Sequence, residues 1–299
     1  KIKSMNPILI IIPIVILIII IAVYFTIYSN ENMEVSKNEP ILQSSDSQKL
    51  IQTNVKSLFK VMAYENDFEI IEGKKIWRDA YYELDESNMS IYGDLKNNKK
   101  SAVVFPIFTA AAYSEPGFYT FYRGECDGEF HGVLFRDADC LTVKLENEYS
   151  PIFTSSANGL QVLNLLGYEI ITDIAVHQNP EILLDYEKII LLHNEYVTSK
   201  QFDAIMAHPN VIYLYPNALY AEVNFNEELW EISLIRGHNY PEITIRNGFD
   251  WKFDNSPDEY DVTCDDMKFT KIDNGWMLNC YPENILHKSK ELLKQIRDF

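Results

Sequence analysis

The sequence predicts an α/β fold, in which a mostly parallel sheet is covered by helices on both faces and is preceded by one N-terminal transmembrane helix. Between residues 156 and 223, apolar runs of strand length alternate with amphipathic stretches of helix length. Strands and helices that alternate at this spacing form right-handed β-α-β units, whose strands lie parallel in one sheet. A separate, uncharged apolar stretch near the N-terminus predicts the transmembrane helix.

Residues 1–28 are predicted to be a membrane anchor. From Pro7 to Phe25 the chain has no charged residue, and a helix of that length approaches the roughly 30 Å thickness of a bilayer core. Lys1 and Lys3 precede the stretch and acidic residues follow it, which favours a cytoplasmic N-terminus and an extracellular main domain at the cell membrane. A cleaved signal peptide is the alternative, although its apolar region is usually about 7–15 residues long and ends at small residues.

The composition limits the partners of the predicted extracellular part. The net charge is −18, and the only charges before Glu31 are Lys1 and Lys3. Such an acidic surface makes nucleic acid and anionic membrane surfaces unfavourable partners. The membrane is therefore expected to be a partner through the N-terminal helix alone.

The four cysteines all follow the predicted anchor, and they form two close pairs, Cys126 with Cys140 and Cys264 with Cys280. In an oxidising compartment an even number favours disulfides, and the simplest of the three possible connectivities joins each close pair. A zinc site is the alternative, but the sequence has no C-x-x-C pair and no H-x-x-x-H spacing to support it.

The rest of the chain divides into a polar linker at 29–54, a small preliminary segment at 55–100 and the main α/β domain at 101–299. Short apolar runs predict the strands, Pro180 marks the start of one helix, and basic residues in the later turns support the C-terminal helix. Strands are predicted at 101–108, 169–172, 188–192 and 211–215. Helices are predicted at 159–166, 180–184, 199–207 and within 282–299.

Polar and aromatic residues follow three of the predicted strands. In an open α/β sheet, ligands bind just beyond the carboxyl ends of the strands, so these residues form the candidate site. They could equally be half-buried residues that hydrogen-bond to the backbone. For the set as a whole, the sequence supports a ligand site and this structural interpretation equally. The residues are His193, Asn194, Glu195 and Tyr196 after one strand, Asn217 and Tyr220 after the next, and Tyr113, Phe118, Tyr119, Phe121 and Tyr122 in a predicted loop at 109–122.

Several common chemistries lack their motifs. A nucleophile elbow needs a Gly-x-Ser-x-Gly or Gly-x-Cys-x-Gly turn after a strand, whereas the strand at 188–192 is followed by "HNEYV". The sequence also has no G-x-G-x-x-G and no Walker motif. Serine hydrolase and amidotransferase mechanisms and nucleotide cofactors are therefore disfavoured.

Three stretches of the sequence resemble a known family. They are "HNEY" at 193–196, "NALY" at 217–220 and the upstream "FPIFTAAAYSEPGFYTFYRGEC". The chain is similar over about residues 100–285 to the C-terminal domain of the N,N-dimethylformamidase large subunit and its relatives. The resemblance implies a three-layer sandwich with a sheet like that of the class I glutamine amidotransferases, or flavodoxin-like, without the catalytic cysteine.

The resemblance also implies a cofactor, a mononuclear iron held by two tyrosines and a glutamate, which hydrolyses a small amide with a metal-activated water. The tyrosines would be Tyr196 and Tyr220, with His193 as proton shuttle or orienting group and Glu195 in support. Phenolate and carboxylate oxygens suit a hard ferric ion, which lowers the pKa of its bound water.

The third iron ligand is missing from its expected place. Where the family has a glutamate before an Asn-Gly turn, this sequence has Thr270 and Lys271. Glu195 and Glu283 are the candidates to replace it. Asn194 also stands where the family has an aspartate. The alternative interpretation is that the chain has kept the scaffold and lost the metal.

Two classes of function follow from the sequence. As an enzyme, the protein would be a metal-dependent hydrolase of a small amide C–N bond. As a non-catalytic protein, it would be a cell-surface binding or structural domain for a surface protein partner. Its contact surface would then be the aromatic loop. Asn194 and Asn217 are further candidate binding residues.

Overall fold

The computed structural model of the chain describes residues 49–71, 73–130, 133–135, 137–146 and 156–299. The predicted membrane anchor at 1–28 lies outside these residues. Within the described ranges, no helix is both long and apolar enough to cross a membrane.

The secondary structure mixes many short strands with short helices. The strands are β1 (Leu50–Gln52), β2 (Lys60–Tyr64), β3 (Phe68–Ile71), β4 (Lys74–Trp77), β5 (Tyr81–Glu83), β6 (Ser101–Phe105), β7 (Gly128–Phe130), β8 (Val133–Phe135), β9 (Thr142–Lys144), β10 (Glu169–Thr172), β11 (Lys188–Leu191), β12 (Tyr196–Val197), β13 (Val211–Tyr213), β14 (Ala221–Asn226), β15 (Glu231–Arg236), β16 (Phe269–Ile272) and β17 (Gly275–Leu278). The α-helices are α1 (Met89–Leu95), α2 (Ile107–Ala112), α3 (Phe118–Tyr122), α4 (Ala157–Leu165), α5 (Asp173–Gln178), α6 (Ser199–Ala207) and α7 (Lys290–Asp298). Short 3-10 helices lie at Glu86–Asn88, Asp137–Leu141, Pro180–Asp185, Ser256–Asp258 and Pro282–Asn284.

The central sheet has six strands in the order β10-β6-β11-β13-β17-β16. The first five lie parallel to their neighbours, and β16 pairs antiparallel with β17 at one edge. Ile190 on β11 is level with Val103 on β6 and Ile212 on β13. The prediction of an α/β fold with a mostly parallel sheet is therefore confirmed.

Helices cover both faces of this sheet, because successive strand residues point to opposite sides. Ile190 belongs to a core that includes Leu163 of α4 and Leu293 of α7. Leu191 belongs to a second core, which includes Ile205 of α6. Both faces of β11 are thus buried, which is why its residues after Lys188 are all apolar. Lys188 itself is buried and donates through Nζ to the carbonyl of Ile296 on α7 at 2.7 Å.

The predicted elements after β11 match the structure closely. The helix predicted at 199–207 is α6, and it begins with a capping box in which Thr198 and Gln201 each accept a hydrogen bond from the other's backbone N–H. The strand predicted at 211–215 ends at Tyr213. The C-terminal α-helix is confined to α7, because the side chain of Ser289 caps it by accepting from the N–H of Leu292.

Other predicted elements need correction. The strand predicted at 101–108 ends at Phe105, because Pro106 has no N–H to donate to the sheet. The loop predicted at 109–122 is wrong, since α2 and α3 occupy most of it. The helix predicted at 180–184 is a 3-10 helix, and α5 was not predicted at all.

A second sheet lies beside the carboxyl edge of the first, with strand order β12-β14-β15-β9. Its core contains Tyr196 of β12 and Ile232 of β15, packed with Phe108 of α2 and Phe118 of α3. Because β12 follows β11 after only a few residues, this sheet holds the candidate site against the central one.

The segment predicted at 55–100 contains β2, β5 and α1. Phe59, Tyr82 and Tyr92 from this segment share a core with Leu163 and Leu293 on the first face of the central sheet. β2 and β5 form an antiparallel sheet with β1, in the order β1-β2-β5. Two further antiparallel pairs, β3 with β4 and β7 with β8, complete the described strands.

Both disulfides predicted from the sequence are present. Cys126 pairs with Cys140 and Cys264 pairs with Cys280, with Cα atoms 6.2 Å and 5.3 Å apart. All four cysteine side chains are buried. The second bridge joins the chain just after Val262 to the chain just before Tyr281, and both of these residues line the pocket described below.

Candidate functional site

Main-chain hydrogen bonds fix the segment after β11 to the segment after β13. The N–H of Leu219 donates to the carbonyl of Asn194 (2.9 Å), and the N–H of Tyr220 donates to the carbonyl of Glu195 (3.0 Å). The hydroxyl of Thr109 on α2 accepts from the N–H of Glu195 at 3.0 Å. The three clusters predicted at the sheet edge therefore meet.

The turn after β13 has an unusual backbone. Asn217 and Leu219 both have positive φ angles, 62° and 57°. Asparagine tolerates this region, but a leucine there is an outlier that costs roughly 1–3 kcal/mol and persists only where the surroundings fix it. The hydrogen bond from Leu219 to Asn194 is one such constraint.

The carboxylate of Glu195 is the centre of the site, and its residue is 0% exposed. Its Oε1 atom lies 2.6 Å from Nε2 of His238 and 3.4 Å from the hydroxyl of Tyr119. Its Oε2 atom accepts from the hydroxyl of Tyr113 at 3.0 Å and lies 3.5 Å from Nε2 of His193. Four side chains thus surround one buried carboxylate.

These partners keep Glu195 ionised. Burial alone would raise its pKa, but the hydrogen bond and charge of His238, the charge of His193 and the hydrogen bond from Tyr113 outweigh burial and hold the pKa below its usual range. A buried carboxylate is tolerated when it is paired and hydrogen-bonded in this way.

The tyrosines around Glu195 are held neutral. Burial, together with the negative charge of Glu195, raises the pKa of both Tyr113 and Tyr119 far above the ordinary value. Tyr119 donates to the hydroxyl of Tyr113 at 2.6 Å, and Tyr113 donates in turn to Glu195. Both phenols therefore act as hydrogen-bond donors and lack the negative charge of a phenolate.

His238 belongs to the site but was not predicted from the sequence. Its ring contacts the rings of Tyr220 (4.6 Å between centroids), Tyr122 (4.7 Å) and Tyr196 (5.7 Å). It follows β15 and is 43 residues beyond Glu195 in the chain. No local spacing links two residues so far apart, so the sequence carried no signal for this pair.

Gly237 allows His238 to reach Glu195. Its φ of 127° is a conformation that other residues rarely adopt, and a Cβ atom there would lie 2.9 Å from the Cα of Ala221 on β14. The chain can therefore turn tightly against β14 and direct the following imidazole toward Glu195.

A small pocket opens beside this cluster. Its volume is about 160 Å³, close to the roughly 150 Å³ of an engineered cavity that accepts benzene. It is lined by three predicted site residues and by four that the sequence did not point to. The predicted ones are Tyr113, His193 and Asn217, and the others are Glu259, Tyr260, Val262 and Tyr281.

Asn217 presents both an engaged and a vacant polar group in this region. Its Nδ2 atom donates to Oε2 of Glu259 at 2.5 Å. Its Oδ1 atom is buried and accepts no hydrogen bond from any described residue, and the same holds for Oδ1 of Asn194. A buried acceptor without a partner costs roughly 1–3 kcal/mol, and Asn217 is one of the residues that line the pocket.

The two tyrosines predicted to hold iron have other partners in this structure. The hydroxyl of Tyr196 lies 3.2 Å from that of Tyr122, and the hydroxyl of Tyr220 hydrogen-bonds to Ser256. Burial raises the pKa of Tyr196 well above its ordinary value, with Glu195 adding to the effect, so Tyr196 is a neutral phenol when no metal is bound. Over the described part of the chain, no group of three or more His, Cys, Asp or Glu residues is placed to hold a metal, and this set of donors does not include tyrosine.

The position expected for the third iron ligand and the two glutamates considered as its replacements differ in their surroundings. Thr270 and Lys271 are exposed on β16. Glu283 is buried, accepts from the hydroxyl of Tyr215 and accepts from the N–H of Asn158 at 2.8 Å. Glu195 is adjacent to Tyr196 but is committed to the histidines and tyrosines described above.

Three of the four aromatic residues of α3 pack around the Glu195 cluster, and the fourth, Phe121, packs on Tyr240 with 5.8 Å between centroids. Phe118 is fully buried and packs on the ring of Tyr196, with 5.3 Å between centroids. Tyr119 and Tyr122 are half-buried and contact His238. These rings surround the Glu195 cluster, and they do not form the exposed contact surface that the non-catalytic interpretation expected.

A larger groove of about 700 Å³ lies between the start of α6 and strand β14. His177 lines it and hydrogen-bonds through Nδ1 to the hydroxyl of Thr198 at 2.9 Å. It contains none of the site residues predicted from the sequence.

Comparison of the chain with family models gives no match, and comparison with curated proteins gives none. The resemblance to the dimethylformamidase family therefore rests on the motifs at 193–196 and 217–220.

Proposed function

We propose that this chain is an exported, single-pass membrane protein whose dimethylformamidase-like domain binds a small polar organic molecule at the carboxyl edge of its sheet. In this proposal the domain is a three-layer sandwich of the glutamine amidotransferase type without the cysteine, and residues 1–28 anchor it to the membrane. In this proposal the chain retains the scaffold of the dimethylformamidase family but not the iron bound by two tyrosines.

The observation that carries the proposal is the pocket of about 160 Å³ lined by His193 and Asn217. Both residues come from the motifs that follow adjacent strands, where α/β sheets bind their ligands. The vacant Oδ1 of Asn217 supplies a hydrogen-bond acceptor, and the volume suits a molecule of about six non-hydrogen atoms.

The test is a ligand-observed NMR titration of the purified full chain with N-methylacetamide. Val262, 39% exposed on the pocket wall, gives a blocking variant, Val262→Phe, that leaves the core intact. Ile243, which is 84% exposed and does not line the pocket, gives the matched control Ile243→Phe. We expect binding to the unmodified chain and the control, and none to Val262→Phe. Equal binding by all three proteins would refute the site.

Hydrolysis of a small amide C–N bond is a second candidate, favoured by the contact between His193 and Glu195. Water would add to the carbonyl carbon while His193 takes its proton, and Glu195 would stabilise the resulting imidazolium. The C–N bond would then break as His193 returns the proton to the leaving amine, giving a carboxylic acid and an amine.

Release of amine from N-methylacetamide separates the two candidates. Amine release by the unmodified chain that His193→Gln abolishes would identify a hydrolase. Binding without amine release would identify a non-catalytic binding domain.

A further inference from the structure

The outer wall of the pocket is strongly acidic. Residues 253–267 contain six aspartate and glutamate residues and no lysine, arginine or histidine. Glu259, Tyr260 and Val262 of this segment line the pocket, and the Cys264–Cys280 bridge fixes the end of the segment to the strand region after β17.

Glu259 is the one carboxylate of that segment that lines the pocket. It accepts a hydrogen bond from Nδ2 of Asn217 and another from the hydroxyl of Tyr260. Two neutral donors orient the carboxylate, and neither is a cation that would neutralise it. Its charge is therefore available to a ligand.

The remaining lining is mainly aromatic, since Tyr113, Tyr260 and Tyr281 contribute to it. The rings of Tyr113 and Tyr281 also flank His193, with centroids 5.9 Å and 5.5 Å from it. Aromatic rings attract organic cations through their quadrupoles, and a nearby carboxylate adds to that attraction. A bare divalent cation fits poorly, because it needs six or more oxygen ligands.

We propose that the pocket binds a small alkylammonium cation that carries at least one N–H group. Its charge faces Glu259, its methyl groups contact the tyrosine rings, and its N–H donates to Oδ1 of Asn217. This inference rests on the proposed binding function and specifies the chemical class of its ligand.

The experiment compares three probes by ligand-observed NMR on the full chain: trimethylammonium, tetramethylammonium and N-methylacetamide. We expect trimethylammonium to bind at least tenfold more tightly than N-methylacetamide. We also expect it to bind more tightly than tetramethylammonium, which has no N–H to donate. Glu259→Gln should weaken trimethylammonium binding about tenfold or more and change N-methylacetamide binding less than twofold.

Two further variants control for surface charge and for folding. Asp266→Asn removes the same charge from the same segment at an exposed residue outside the pocket, and it should change binding less than twofold. Tyr260 is 82% exposed, so Tyr260→Leu should fold and yet bind the cation several-fold more weakly.

The outcomes are distinguishable. Binding of N-methylacetamide but not of trimethylammonium would overturn the cation inference and leave the proposed function intact. Trimethylammonium binding that Glu259→Gln leaves unchanged would also overturn it. If none of the three probes binds, both proposals fail.

Discussion

Nε2 of His238 lies 2.6 Å from Oε1 of Glu195, although the two residues are 43 positions apart in the chain. The pair joins the segment after β15 to the segment after β11. Since Glu195 is fully buried, water cannot stabilise its negative charge. Its hydrogen bond with His238 therefore contributes more to stability than the same bond would at an exposed carboxylate. Removal of one member of a buried pair leaves an uncompensated charge and costs about 3–5 kcal/mol.

His238→Ala should therefore lower the free energy of unfolding by about 3–5 kcal/mol, measured by urea denaturation. In the double variant with Glu195→Gln, no charge is left unpaired, so the loss should be smaller than the sum of the two single losses. A loss below about 1 kcal/mol in His238→Ala would show that the pair does not stabilise the fold.

Glu283 should make stability depend on pH. Burial raises its pKa from 4.5 to about 7, so the folded state binds a proton that the unfolded state releases between these values. The contribution is fully present below pH 4.5 and is lost as the pH rises to about 7. Glu283→Gln should flatten the dependence by up to about 3 kcal/mol across this window.

Urea denaturation at intervals from pH 4.5 to pH 7 measures this effect. Glu169→Gln is a suitable control, because Glu169 is an exposed carboxylate on an edge strand. Parallel pH curves for the unmodified chain and Glu283→Gln would contradict the raised pKa.

The Cys264–Cys280 bridge should support both stability and the pocket. It spans 16 residues, and a loop of that size contributes about 3 kcal/mol. The double variant Cys264→Ala, Cys280→Ala should lose about that much stability. It should also bind the pocket ligand more weakly, because Val262 lies two residues from the bridge.

Removal of the other bridge provides the comparison. Cys126→Ala with Cys140→Ala should lower stability by a similar amount, about 3 kcal/mol, and leave ligand affinity unchanged at temperatures where the domain is folded. Equal effects of both pairs on affinity would argue against a role for the loop of residues 253–267.

The iron content of the purified chain should not depend on Tyr196 or Tyr220, the two tyrosines predicted to bind iron. Because Tyr196 and Tyr220 are engaged with Tyr122 and Ser256, the chain as purified should show no visible tyrosinate–iron absorption. Metal content measured by mass spectrometry should be the same in Tyr220→Phe as in the unmodified chain. Stoichiometric iron that disappears in Tyr220→Phe would restore the iron-hydrolase hypothesis.

The central sheet was predictable because each of its inner strands is buried on both faces. The runs at 189–192 and 211–215 are therefore continuously apolar, and this pattern is visible without the structure. The six residues of α5 were missed because so short a helix shows little of the 3.6-residue period. The helix α2 was missed because all its residues are buried and it shows no polar face. The helix α3 was missed because four of its five residues are aromatic, so its sequence shows no helical alternation of apolar and polar residues.

The site was predictable only in its local part. His193 to Tyr196 and Asn217 to Tyr220 could be placed at one sheet edge, since both segments follow parallel strands. Glu259 and His238 reach the same place through loops whose course depends on tertiary contacts. A sequence pattern reports neighbours along the chain, so it could not assign a partner to the Glu195 carboxylate.

Histidine-selective NMR of the full chain tests the pocket most directly, because His193 lines it and the chain has six histidines. The His193 signals, assigned with His193→Gln, should shift when trimethylammonium or N-methylacetamide is added. The signals of His208, which is buried away from the pocket, should stay in place. If the His193 signals do not shift when trimethylammonium or N-methylacetamide is present in large excess, the pocket is not the binding site.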